Sequence, residues 1–108
     1  DFYQMSRRLI RESLAALEKS GAKRVALYGV GDVAEMVFLA LRERGLDLVC
    51  VADDAHAGET WLGEKVLGLA GMRASGVDAV IVCTRNDLKT PGLTPAEAGC
   101  PVWRLESR

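Results

Sequence analysis

The sequence predicts an α/β domain: an open, mostly parallel, five-stranded sheet in the order 3-2-1-4-5, layered between helices and preceded by an extra N-terminal helix. Three observations predict it. Val25 to Tyr28, Leu46 to Ala52 and Asp78 to Cys83 are short continuous apolar runs, the mark of strands covered on both faces. Between the first two, Val33, Met36, Val37, Ala40 and Leu41 follow the i, i+3, i+4, i+7, i+8 spacing of an amphipathic helix. A glycine turn, Gly29-Val30-Gly31, joins the first strand to that helix. Strand, helix and strand in about thirty residues make one βαβ unit, whose crossover is right-handed.

The elements follow in order. From Tyr3 to Lys19, the residues Tyr3, Ile10, Leu14 and Leu17 lie on one helical stripe, with Arg7, Arg8, Arg11, Glu12 and Glu18 mostly around the other side. Gly21 ends this helix and Gly45 ends the next. Ala55 to Glu64 is too short and too rich in glycine for a crossover helix, so the spacing predicts an irregular loop and then a brief strand at Lys65 to Leu67. A short helix over Leu69 to Ala74 precedes the fourth strand. Thr94-Pro95-Ala96-Glu97 has the form of a capping box with proline at the first helical position, and Gly99 limits that helix to about one turn. Val102 to Leu105 alternates as an edge strand does. The order 3-2-1-4-5 places the switch point beside the first strand, and ligands on such sheets bind there, outside the carboxyl ends of the strands.

Composition narrows the function. With 108 residues, 49% of them hydrophobic, the chain suffices for one hydrophobic core. Its 15 acidic and 14 basic residues are interspersed, which leaves no basic face for direct nucleic-acid contact by this domain. Cys50, Cys83 and Cys100 are odd in number and widely spaced, and two lie in apolar runs, so the expectation is a reducing cytoplasm without disulfides. No apolar run reaches the roughly 20 residues of a membrane span, and no signal-peptide layout opens the chain. The chain begins at Asp1 and enters a helical pattern almost at once, which reads as a piece of a longer protein.

In a dinucleotide fingerprint the first glycine makes the tight turn, the second admits a pyrophosphate to the backbone, and a third small residue lets helix and strand pack closely. Gly29, Gly31 and Ala34 stand at those places. Amide groups opening the following helix, with its dipole, then form an anion site. Asp53 ends the second strand 22 residues after Gly31, near where an acid hydrogen-bonds a ribose hydroxyl. Asp32, in the first helical turn, is expected to cap the same amides. The bland alternative is that the glycines serve only backbone geometry and Asp53 and Asp54 form a solvated turn.

The segments RVALYGVGDVAEMVFLALRERGLDLVCVADD, GETWLGEKVLG and GVDAVIVCT resemble the small Rossmann-like domains of bacterial surface-polysaccharide proteins. Among these are the nucleotide-sugar-binding N-terminal domains of sugar O- and N-acyltransferases and the leading domain of capsule-type nucleotide-sugar dehydratases. The chain looks most like a version carried behind a DNA-binding winged helix in MarR-like transcriptional regulators. The resemblance covers about Tyr3 to Thr84. It implies a connecting helix over residues 1–21, a single nucleotide-binding domain over 22–108, and a homodimer. Gly29, Val30, Gly31 and Asp32 match the phosphate turn, and Asp53 and Asp54 the strand-end acids beside sugar or ribose. Thr84 matches the end of the fourth strand. The implied cofactor class is an NAD-type dinucleotide or a nucleotide-sugar. The acyltransferase domains carry GxGGHG-like turns where this chain has Gly-Val-Gly-Asp-Val-Ala, and no left-handed β-helix repeats follow.

Three functional readings result: a non-catalytic ligand-sensing domain of a regulator, the binding domain of a nucleotide-sugar enzyme, or a structural dimerisation module. His56, the single histidine, reads as a surface residue, and no metal site is expected. Asp53 and Asp54 are adjacent in an extended segment, so their side chains point to opposite sides and share no proton. Thr84, Arg85 and Asn86 leave the fourth strand on the ligand side. Trp61 is assigned to packing over a base-stacking role, and Trp103 to the core or a dimer contact. The N-terminal helix is equally a dimer element or a helix packed on the sheet.

Overall fold

Along the first strand, successive side chains enter two different cores. Val25 and Leu27 join one with Ile10, Leu14, Leu17, Val37 and Leu41, whereas Ala26 joins another with Met72, Val80, Val82 and Ala98. A strand turns alternate residues to opposite faces, so both faces of this sheet are covered by helices, and the continuous apolar run of the sequence has this as its cause.

The computed structural model describes residues 2–83 and 93–104. In chain order the elements are α1 (Phe2–Lys19), β1 (Arg24–Tyr28), α2 (Asp32–Leu41), β2 (Asp47–Ala52), a 3₁₀ turn (Asp54–His56), β3 (Thr60–Trp61), β4 (Glu64–Leu67), α3 (Leu69–Ala74), β5 (Ala79–Val82), α4 (Pro95–Ala98) and β6 (Val102–Arg104). Helices α1 and α2 lie on one face, α3 and α4 on the other. Thr94 accepts from the Glu97 amide while the Glu97 side chain accepts from the Thr94 amide, completing the capping box, and Gly99 closes α4 in the left-handed conformation. Leu105, expected in the last strand, lies outside the described residues.

The sheet corrects the expected five strands in the order 3-2-1-4-5. It has six strands, in the order β3-β4-β2-β1-β5-β6, and it is mixed: β3 runs antiparallel to β4, and every other pairing is parallel. The added edge strand comes from the stretch expected to be an irregular loop. There Leu62 and Gly63 reverse the chain with φ of 48° and 81°. Positive φ at both central residues is the hairpin turn whose twist suits the flanking strands. Leucine is an uncommon occupant of that place, which is why the hairpin left no signal in the sequence.

A bulge supplies a second departure from regularity. Val25 pairs with Leu48 but Ala26 pairs with Cys50, so Val49 is an extra residue in β2. The alternation that resumes beyond it turns Val51 toward α1 and α2 and Ala52 toward α3 and α4. Asp53 and Asp54 inherit opposite directions from this phase.

α1 packs on the sheet: Ile10, Leu14 and Leu17 are fully enclosed in the core. Arg44, after α2, ties the two helices by an ion pair with Glu18 (2.6 Å) and a bond to the Arg11 carbonyl. At the amino ends of the strands, the Asp78 carboxylate accepts from the amides of Lys23 and Arg24, both at 2.9 Å, and fixes the start of β1 against the approach to β5. No helix among the described residues is long and apolar enough to cross a membrane, and Cys50, Cys83 and Cys100 are all free thiols.

Candidate functional site at the carboxyl ends of the central strands

β1 is central because it pairs with β2 on one side and β5 on the other. Its ladder continues past its end: the Gly29 amide donates to the Ala52 carbonyl at 2.8 Å, and the Cys83 amide to the Tyr28 carbonyl at 2.8 Å. The chain then turns through Gly29 (φ 96°) and Gly31 (φ 150°) into α2. Both values lie where side chains with a Cβ are strained. A Cβ built on Gly31 would meet no atom within 4 Å, so the space beside that residue is open and only backbone geometry demands glycine there.

Among the described residues no side chain caps α2, whose N-cap is Gly31. The Glu35 amide is the first to find its intrahelical partner, the Gly31 carbonyl at 3.0 Å. Asp32 is exposed and makes no capping bond, which corrects its expected role: the N-cap position falls on Gly31, one residue earlier. Among the described residues the Asp32 carboxylate makes no hydrogen bond and acts on this end of the helix through its charge.

The acid that does engage the glycine turn is Asp53. One of its carboxylate oxygens accepts from the Val30 amide (3.1 Å) and the other from Ala55 (3.0 Å), while its own amide donates to the Leu67 carbonyl. Asp53 thereby joins the ends of β1, β2 and β4. Asp54 points away, as adjacency in an extended segment requires, and accepts from the Leu69 amide (2.8 Å) at the start of α3. A Cβ on Gly68 would come within 3.2 Å of that same oxygen, so Gly68 permits the close approach.

Gly29, Val30, Gly31, Asp32 and Asp53 therefore form one cluster, with Asp54 at its edge facing α3. Thr84, Arg85 and Asn86 lie outside the described residues. Tyr28 is the residue that sequence reasoning missed. It closes β1 on the α3 and α4 side, and burial pushes its phenol pKa up, with the carboxylates of Asp54, Asp53 and Glu97 adding to the effect. Its position as the last residue of the apolar run, one before the turn, was the available signal. The protonated phenol, the carboxylates and the exposed amides are suited to hydrogen-bonding a polar guest.

The other singled-out residues lie apart. His56 is exposed and its Nδ1 lies 3.1 Å from Glu59. Among the described residues no group of three or more His, Cys, Asp or Glu side chains is placed to hold a metal ion. Trp61 packs edge to face on Phe38, with ring centroids 5.8 Å apart. Trp103 is half-buried against the α1 and α2 core. Comparison with protein-family models, curated proteins and solved structures found no match to this chain.

Proposed function

We propose that this chain is a Rossmann-like domain that binds a nucleotide, dinucleotide or nucleotide-sugar without catalysis, as the ligand-sensing part of a bacterial transcriptional regulator in the cytoplasm. The observation that carries the reading is the meeting of Asp53 with the glycine turn at a helix start that no side chain among the described residues caps. Such a start offers amide donors and a positive dipole end to a phosphate. The acid beside it offers an acceptor to a ribose or sugar hydroxyl. The family resemblance gives the regulator setting, and finding a winged helix upstream in the full reading frame would support it. An acyltransferase or dehydratase domain in that frame supports an enzyme's binding domain instead.

Melting of the protein with ADP, NAD and a UDP-sugar tests the reading. A ligand at a hundred times its Kd stabilises the fold by about 2.7 kcal/mol, and Gly31→Val removes that gain because its side chain fills the open space beside the amides. No rise with any of the three overturns the nucleotide reading.

A second reading has an observation in its favour. Both strand-end acids already accept hydrogen bonds within the chain, Asp53 from the turn and Asp54 from α3. A structural module that has kept this architecture and lost its ligand needs nothing more from them.

A further inference from the structure

We draw no further inference here: the strongest candidate, the open groove between the end of α2 and the starts of β2 and β4, lined by Phe38, Leu41, Arg42, Asp47, Leu48 and Glu64, carries nothing, because nothing among the described residues shows what covers it.

Discussion

The Val30 main-chain amide donates to a carboxylate oxygen of Asp53 at 3.1 Å, and the second oxygen of that carboxylate accepts from Ala55 at 3.0 Å. One side chain thus holds the glycine turn after β1 to the turn that follows β2. Asp53→Ala is expected to lower stability by about 1–3 kcal/mol, the cost of leaving amides without their acceptor. Asp53→Asn retains one accepting oxygen and is expected to lose about half as much. Urea denaturation of the three proteins gives the comparison.

At the hairpin, Leu62 sits at φ 48°. Replacement by Asn, which tolerates the left-handed region, is expected to stabilise the isolated fold by about 1 kcal/mol. Thermal melting of the monomer at low concentration, where association does not contribute, measures it.

The Cys83 thiol is enclosed, and burial pushes its pKa from 9.0 up to about 12. Protonated thiol is the form the fold accepts. Cys83 therefore contributes stability that is fully present below the unfolded value and is lost as pH rises toward the folded one. Above pH 9 the loss is about 1.4 kcal/mol per pH unit. Cys83→Ala is expected to flatten the fall in melting temperature between pH 9 and pH 11. Tyr28 and Cys100, also shifted upward, leave part of the slope in place. In the native protein at pH 8, iodoacetamide is expected to modify Cys100 slowly and to spare Cys83, as mass spectrometry reads directly.

Asp78 contributes on the acid side. Hydrogen bonds from the Arg24 and Lys23 amides, helped by the charges of those residues, hold its pKa below the ordinary 3.8. The stability it contributes is present above the unfolded value and disappears as pH falls through the lowered folded one. Asp78→Asn is expected to flatten the acid limb of a melting-temperature profile below pH 4 and to change the alkaline limb only through the part of the Cys100 shift that the Asp78 charge causes.

How far residues announced this arrangement depends on how local the cause is. The apolar run Val25 to Tyr28, the stripe Val33 to Leu41 and the capping box at Thr94 carry their reasons within a few residues, and all three became the elements expected. The hairpin at Thr60 and Trp61 did not announce itself, because leucine occupies a position where asparagine or glycine would have signalled the turn. The bulge at Val49 arises from register with β1, a tertiary relation invisible in β2 alone. The same holds within the site. Spacing pointed to Asp53 as an acid near the glycine turn, but its two amide partners depend on the path of the chain after β2. Asp32 was expected to cap α2 on sequence proximity; the helix instead starts at Asp32 itself, and a residue at the first helical position is too late to be the N-cap.

Because β1 is hydrogen-bonded along both edges to neighbours distant in sequence, it cannot be peeled away without separating the whole sheet. Its amides should be the slowest in the chain to exchange with deuterium. A guest at the end of this strand would therefore find a seat already rigid. Its arrival would register as slowed exchange at Val30 and Ala55, whose amides, among the described residues, are held by the Asp53 carboxylate alone, and scarcely at all in β1.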